Sequence, residues 1–297
     1  MARLIVNADD LGADPHVDLG ILEGFRNGIV SSTTLLITFA PHWERSATTA
    51  QEAGLPMGLH LSLTHGFAVS ERTRIPDLVD ERGRFAISAA QLISMGFQNR
   101  AQHKRLYDQI KIELDAQIKS VLSKGFRLTH VDSHQHVHMN PNIYEIVEGV
   151  ATENGIRAMR IVREPFFAFQ FTYGLVDNLK RNNFLKAFLV QTLARRIKPR
   201  LRTNERFFGL MQSDTVDRSS FTKFLRSMAR TDFVWEAGIH PGHPGQQPEF
   251  DLPPEVGRWF SSLTRRREFD VVTDPEVKDL IRKERIEIIS YAAITQS

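Results

Sequence analysis

Short apolar stretches alternate with amphipathic stretches along most of the 297-residue chain. Residues 16–27 and 110–122 carry apolar side chains at helical spacing. Stretches rich in apolar and β-branched residues predict strands at 4–7, 33–39, 57–63, 127–134, 158–162, 207–210, 232–239, 269–272 and 286–291. Strands that alternate with helices build parallel sheets, and the chain has no GxGxxG loop. The pattern therefore favours an α/β fold of the (β/α)-barrel type.

Two stretches interrupt this alternation. Residues 66–87 are rich in Pro, Gly and Arg and are too long for a simple connector, so we expect an inserted loop there. Residues 164–206 begin with aromatic residues and continue with basic residues at helical spacing, which predicts a helical insertion. With these two insertions, residues 1–297 are expected to form a single barrel domain.

Composition restricts the chemistry that the chain can carry. The hydrophobic fraction of 41% and the charged fraction of 25% are typical of a globular protein with a large core. Cysteine is absent, so a metal site must use imidazole and oxygen ligands. We find no secretory or membrane-spanning apolar run and therefore expect a cytoplasmic protein. The net charge of +3, without a zinc-finger or RRM pattern, argues against nucleic-acid binding.

Polar residues recur where the predicted strands end, and in a barrel those ends surround one active-site face. Asp9 and Asp10 directly follow the first strand; capping of the next helix explains one carboxylate but not two. His60 lies inside an apolar strand and, taken alone, is compatible with an ordinary core histidine. His240 lies in a Pro/Gly-rich stretch after the strand at 232–239, where an ordinary loop is the alternative interpretation.

A histidine cluster follows the strand at 127–134. Four of the 11 histidines lie in residues 130–138, interleaved with Asp132. If the chain stays extended, alternation places His130, Asp132 and His134 on one face, with His136 and His138 continuing the row. The cluster predicts a metal site with supporting partners.

Together these motifs resemble the YdjC/ChbG-like carbohydrate deacetylase family over nearly the whole chain. The resemblance rests on residues 7–12, 58–60, 129–139, 240–241, 269–275 and 288–291. Residues 75–80, 160–165 and 207–209 are closer to the hopanoid-biosynthesis-associated branch, whereas residues 132–134 are closer to the chitooligosaccharide branch. The family implies a distorted (β/α) TIM-like barrel with one divalent cation. Magnesium is favoured by the resemblance, and zinc suits one carboxylate and two imidazoles.

The resemblance also implies roles for individual residues. Asp10, His60 and His134 would be the metal ligands, Asp9 the catalytic base and His240 the catalytic acid. The remaining candidates would support the site or bind substrate: Asp132, His136, His138, Arg160 and Arg163. The two arginines could hold sugar hydroxyls, orient Asp9, or form surface salt bridges. The expected reaction removes the acetyl group of an N-acetylated sugar, chitooligosaccharide-like or glycolipid-linked, with water activated by the cation attacking the amide.

Other interpretations stay open. A metallophosphoesterase could use Asp132, His136 and His138 for a second metal, and a catalytically silent sugar- or lipid-binding barrel would need neither base nor acid. The basic segment 178–206 is either a helix packed on the barrel with a solvated side, or an interfacial helix that makes weak contact with an anionic membrane surface. A homodimer is also compatible with the sequence.

Overall fold

The computed structural model describes residues 1–165, 183–213, 215–243 and 263–295. Its strands are β1 (Arg3–Leu11), β2 (Ser32–Leu35), β3 (Met57–Leu61), β4 (Val131–Ser133), β5 (Arg206–Phe208), β6 (Val234–Ile239) and β7 (Glu287–Ile289). Its α-helices are α1 (Pro15–Asn27), α2 (Trp43–Glu52), α3 (Ala89–Ser94), α4 (Lys104–Leu122), α5 (Pro141–Glu153), α6 (Asn183–Ala194), α7 (Arg218–Met228), α8 (Leu263–Thr273), α9 (Pro275–Lys283) and α10 (Tyr291–Thr295). The predicted α/β class is confirmed.

The strands form one parallel sheet in the order β4-β3-β2-β1-β6-β5, and β7 pairs with the first residues of β1. Strand β1 is central and buried after Arg3, which explains the apolar run at residues 4–6 near its start. All pairs along this path are parallel, so the carboxyl ends of β1, β3, β4 and β6 lie at the same end of the sheet. Functional side chains that follow these strands are thereby brought together.

The segment of residues 158–163 closes the curled sheet between β4 and β5. The Val131 amide donates to the Ala158 carbonyl at 3.1 Å, and the Phe207 amide donates to the Arg163 carbonyl at 2.9 Å. Between them, the Asn204 side chain makes two hydrogen bonds of 2.8 Å with the backbone of Ile161. A side chain thus replaces a strand neighbour, and the strand predicted at 158–162 is present only as isolated bridges. The result is a distorted barrel, as predicted.

The helices predicted at 16–27 and 110–122 correspond to α1 and α4. The strand predicted at 269–272 is wrong, because these residues belong to α8. A four-residue apolar run does not distinguish a buried strand from a buried helical turn. Here Phe269 and Val272, three residues apart, both lie on the buried side of the helix.

The loop at residues 66–87 is held against the barrel by polar side chains of α4. Both carboxylate oxygens of the buried Glu113 accept backbone amides, from Val69 at 3.0 Å and Ser70 at 2.9 Å. One helical turn away, Gln109 accepts the Asp77 amide at 2.8 Å. The loop contains one 3₁₀ turn and two antiparallel bridges. Its status as an insertion stays a prediction.

The second predicted insertion, residues 164–206, lies partly outside the described residues, which omit 166–182. Its described part contains the helix α6, and its status as an insertion stays a prediction. No helix in the described ranges is both long and apolar enough to cross a membrane.

Candidate metal centre and active site

Two adjacent carboxylates lie at the end of β1. Asp9 and Asp10 are both buried, and neither caps the following helix, because Asp14 accepts the His16 amide at 2.8 Å as the N-cap of α1. Neighbouring residues in a regular strand face opposite sides of the sheet. Here the register of β1 with β2 shifts after Ala8, and Asp10 adopts a left-handed φ of 74°. This irregular backbone lets both carboxylates reach the same cluster, at a conformational cost.

Three ligand-type atoms converge at this point. Asp10 Oδ1 lies 3.6 Å from His60 Nε2 and 3.7 Å from His134 Nδ1, and the three atoms lie within 4.8 Å of one another. Among the described residues, no hydrogen-bond donor contacts the buried Asp10 Oδ1. These distances are too long for hydrogen bonds and suit atoms that surround a shared ion. Asp10, His60 and His134 could therefore hold a divalent cation.

Each of these three residues has a polar contact with a further side chain through its other ring nitrogen or carboxylate oxygen. Asp132 Oδ1 lies 2.7 Å from His60 Nδ1, Arg265 donates to Asp10 Oδ2 at 2.7 Å, and His65 Nδ1 lies 3.2 Å from His134 Nε2. Carboxylate–histidine pairs of this kind orient metal-binding imidazoles. Sequence reasoning included Asp132 but missed His65 and Arg265. Arg265 is 255 residues from Asp10 along the chain, so only the fold reveals the contact.

The cluster is electronegative. Burial alone would lower the pKa of His60, but the neighbouring Asp132 and Asp9 carboxylates outweigh burial and raise that pKa to about 9. The fully buried Arg160 and Arg265 offset only part of the charge of Asp9, Asp10 and Asp132. An additional positive charge is therefore stabilised here, which suits a cation.

Asp9 is fixed by Arg160. The guanidinium donates to Asp9 Oδ2 at 2.8 Å and Oδ1 at 2.7 Å, a bidentate pair. Burial opposes ionisation of Asp9, but Arg160 overcomes this and holds the Asp9 pKa well below its usual range. Arg160 also contacts Asp132 at 2.5 Å and Glu236 at 2.8 Å. Because Arg160 is fully buried, the surface salt bridge interpretation is wrong for it, and it supports Asp9.

His240 follows β6 and lies on the more open side of the cluster. Its Nε2 is 4.0 Å from Asp9 Oδ2, and its ring is 18% exposed, whereas Asp9 is 2% exposed. Glu268 accepts the His240 amide at 2.6 Å and also lies 3.8 Å from Nδ1. Burial would lower the His240 pKa, but Glu268 raises it above the ordinary value. The imidazole therefore keeps its proton to a higher pH than an ordinary histidine.

The expected row of histidines beyond His134 is wrong. Strand β4 ends at Ser133, and Gln135 and His136 take left-handed φ values of 55° and 57° in a 3₁₀ turn, which breaks the alternation. His138 turns to the Ser133 hydroxyl, with Nδ1 at 2.6 Å from Oγ, and His136 packs edge-on against Phe207. Neither side chain has a described contact with the ligand cluster.

Two other candidates also lie apart from the ligand cluster. His130 stacks on Tyr291 with ring centroids 3.7 Å apart. Gly58 leaves room for this ring, because a Cβ at position 58 would lie 2.4 Å from it. Arg163 donates to the Ile197 carbonyl at 3.1 Å. His130 therefore has a packing role, and a substrate contact for Arg163 stays a prediction.

Polar residues that the sequence did not single out complete the centre. Thr34 Oγ1 lies between Asp9 Oδ1 at 3.2 Å and His60 Nδ1 at 3.3 Å. Glu236 joins Arg160 to the Tyr291 hydroxyl, which donates at 2.6 Å. Threonine in a β-strand and glutamate inside an apolar strand carry no distinctive spacing, although a buried acid such as Glu236 implies a partner.

A distorted parallel barrel with a buried Asp/His cluster at its carboxyl end, whose side chains could hold a cation, defines the class of this protein as a (β/α) barrel with a candidate metal centre. The chain belongs to the family of YdjC-like proteins, whose model matches residues 3–283, as the sequence resemblance predicted.

Individual relatives cover the chain to different extents. A carbohydrate deacetylase from Brevibacillus brevis is 29% identical over 292 residues, which span 98% of this chain and 99% of the relative. A chitooligosaccharide deacetylase from Serratia marcescens is 38% identical over 163 residues, 54% of this chain and 60% of the relative. A solved structure from Enterococcus faecalis, assigned to cellobiose-phosphate cleavage, has a TM-score of 0.72 and 24% identity, covering 98% of both chains. That likeness supports the fold.

Proposed function

We propose that this chain is a metal-dependent hydrolase that removes the acetyl group from an N-acetylated sugar. The observation that carries the proposal is the convergence of Asp10, His60 and His134 beside an ionised carboxylate, Asp9, and a partly exposed imidazole, His240. Binding alone has no use for a base and an acid next to a metal site. The full-length similarity to a carbohydrate deacetylase supports this reaction class.

The residues around the cluster match the needs of amide hydrolysis. A bound divalent cation polarises the acetyl carbonyl and lowers the pKa of the attacking water. Asp9, kept ionised and oriented by Arg160, accepts the proton of that water through Oδ2, the oxygen nearer to His240. His240, whose pKa Glu268 raises, donates a proton to the leaving amine. The attacking water must lose a proton, and an amine leaves readily only when it is protonated. The reaction therefore needs both a base and an acid.

Two arguments about the identity of the cation point to different ions. Two imidazoles and one carboxylate are a donor set that zinc favours, whereas the family resemblance implies magnesium, which prefers oxygen ligands. We propose magnesium as the working cation and zinc as the alternative. Reloading metal-stripped protein with each ion and measuring deacetylation decides between them.

A two-metal phosphoesterase is less compatible with this arrangement. Asp9, His60 and Asp132 form a second group of ligand-type atoms, but the Arg160 guanidinium donates to both aspartates and occupies that space. His136 and His138, the other expected ligands, point elsewhere. We therefore expect one metal ion per chain by elemental analysis. Two ions per chain would favour the phosphoesterase.

The experiment that tests the proposal is incubation with N-acetylglucosamine oligomers and N-acetylated glycolipids, with mass spectrometry for loss of an acetyl group. Metal-loaded wild-type protein should release acetate, and chelator should stop the release. The Asp9→Asn variant, which keeps the three proposed ligands, is the matched control for contaminating activity. Absence of acetate release from every N-acetylated sugar tested, with metal bound, contradicts the proposal.

Membrane contact by the basic segment 178–206 would favour a lipid-linked sugar over a soluble one. Residues 178–182 of this segment lie outside the described residues. In α6, Leu185 and Phe188 are 58% and 61% exposed, whereas Arg196 donates to the Gly96 carbonyl at 2.7 Å and so contacts the barrel. Weak membrane contact stays a prediction, and co-sedimentation with acidic liposomes at low salt tests it. Whether the chain forms a homodimer is tested by size-exclusion chromatography with light scattering.

A further inference from the structure

We propose that His65 is a positioning residue that selects the ring nitrogen with which His134 faces the metal site. The inference rests on the proposed metal centre and goes beyond it by assigning a role to a residue outside the ligand set. His65 Nδ1 lies 3.2 Å from His134 Nε2, and the opposite nitrogen of His134, Nδ1, faces Asp10 Oδ1 at 3.7 Å.

The chemistry of imidazole makes this contact directional. A neutral imidazole has one N–H and one nitrogen lone pair, and only the lone pair binds a metal. A hydrogen bond between two ring nitrogens contains one hydrogen. When His134 Nε2 carries that hydrogen and donates it to His65 Nδ1, His134 Nδ1 keeps its lone pair for the cation. His65 then carries its own hydrogen on Nε2.

The backbone and its neighbours hold His65 in place for this contact. The His65 carbonyl accepts the Ser62 hydroxyl at 3.0 Å and the Thr38 hydroxyl at 3.4 Å. Gly66 follows with a φ of 83°, where a Cβ would lie 2.2 Å from the Thr38 carbonyl oxygen, so the turn requires glycine. The Phe39 ring packs edge-on against both His65 and His134, with centroids 6.4 Å and 5.6 Å away. The position of the His65 backbone and ring is therefore determined by contacts within the protein.

The two imidazoles of the centre differ in what supports them. His60 is backed by the Asp132 carboxylate at 2.7 Å, whereas His134 is backed by a second imidazole. Removal of such a partner typically weakens metal affinity about 10–100-fold. Loss of the His65 ring should therefore act on the metal through His134 and leave the His60–Asp132 pair intact.

A matched pair of variants separates hydrogen bonding from packing. Asparagine and leucine have similar shapes, but the asparagine side-chain oxygen lies close to the position of Nδ1 and can accept the His134 hydrogen. In calorimetry with Zn²⁺ on metal-stripped protein, His65→Leu should raise the dissociation constant about 10–100-fold. His65→Asn should restore most of the affinity. Wild-type affinity in His65→Leu, or equal losses in both variants, overturns the proposal.

A double-mutant cycle tests the route of the effect. In a His134→Ala background, His65→Leu should cause little further loss of Zn²⁺ affinity, because its partner is already absent. An additive loss shows that His65 acts elsewhere and overturns the proposal. The half-exposed His16, changed to leucine, controls for loss of a histidine distant from the centre and should bind Zn²⁺ normally. Calorimetry needs no sugar substrate, so failure of deacetylation would contradict the proposed function and leave this result unaffected.

Discussion

Asp9 and Asp10 are adjacent in sequence and equally buried, yet their surroundings differ. Both oxygens of Asp9 are bound by Arg160, and Oδ1 also accepts a hydrogen bond from the Asn7 side-chain Nδ2 at 2.7 Å. Asp10 has one oxygen bound by Arg265, and no described donor contacts the other, which faces His60 and His134. Both oxygens of Asp9 thus accept hydrogen bonds, with Oδ2 bound only by Arg160, whereas Asp10 Oδ1 has no donor among the described residues.

This difference assigns different chemistry to two parts of the centre. We call Asp9 with Arg160 the Asp9 side, and Asp10 with His60 and His134 the Asp10 side. A buried carboxylate oxygen without a donor is costly unless a cation is present, so Asp10 is suited to a ligand role. A carboxylate held by a bidentate arginine stays ionised in a fixed orientation, which suits a base for one defined proton. The irregular backbone at Asp10 is what lets consecutive residues take these two roles.

The largest expected effect comes from the Asp9 side. Asp9→Asn removes the base and retains Asp10, His60 and His134, so turnover should fall by about 10²–10⁴-fold while Zn²⁺ affinity changes little. Steady-state deacetylation and calorimetry measure the two quantities separately. Because asparagine presents an amide to Arg160, a circular dichroism melt must accompany the assay. A variant with turnover within a few-fold of wild type assigns the base role to another residue.

The Asp10 side should respond in the opposite way. Three variants each remove one proposed ligand: Asp10→Ala, His60→Ala and His134→Ala. Loss of a residue that only supports a ligand typically weakens metal affinity about 10–100-fold, so each of these variants should weaken it further than that. Elemental analysis after dialysis and calorimetry measure the loss, with Asp9→Asn as the control that retains metal. Undiminished occupancy in all three variants contradicts the ligand assignment.

A smaller effect is expected where Glu268 acts on His240. The proposed acid must be protonated, so activity should fall as pH rises through the His240 pKa, which Glu268 raises above its usual value of about 6.5. Glu268→Gln removes this carboxylate, so the alkaline limb of the kcat/KM profile should move to lower pH. Glu23→Gln, next to His243 at 2.9 Å, is the matched control. An unmoved alkaline limb in Glu268→Gln excludes His240 as the titrating acid.

The sequence predicted the centre where local spacing and strand ends determine geometry. Asp10, His60 and His134 end up together because they follow or lie on β1, β3 and β4, parallel strands of one sheet. His136 and His138 were expected in the same row, but the left-handed turn at Gln135 and His136 is uncommon for residues other than glycine and has no sequence signal.

Supporting residues were harder to predict because their partners are set by tertiary contacts. Arg265 reaches Asp10 from α8, a segment whose apolar run at 269–272 we read as a strand. Glu236 lies in a strand that was predicted, but its contact with Arg160 depends on residues 158–163 closing the barrel. Charge pairing at this range is not visible in periodicity, which reports only which faces are buried.

Thr34→Val should have the smallest effect and is the most direct test of how separate the two sides are. The Thr34 hydroxyl contacts Asp9 Oδ1 at 3.2 Å and His60 Nδ1 at 3.3 Å, so it touches both. Valine keeps the branched shape in β2 and removes the hydroxyl. One hydrogen bond contributes about 0.5–1.5 kcal/mol, so turnover and metal affinity should each fall by roughly two- to tenfold. Thr34→Ser, which keeps the hydroxyl, should lose less, and a drop of several hundredfold in either quantity would show that the two sides act as one unit.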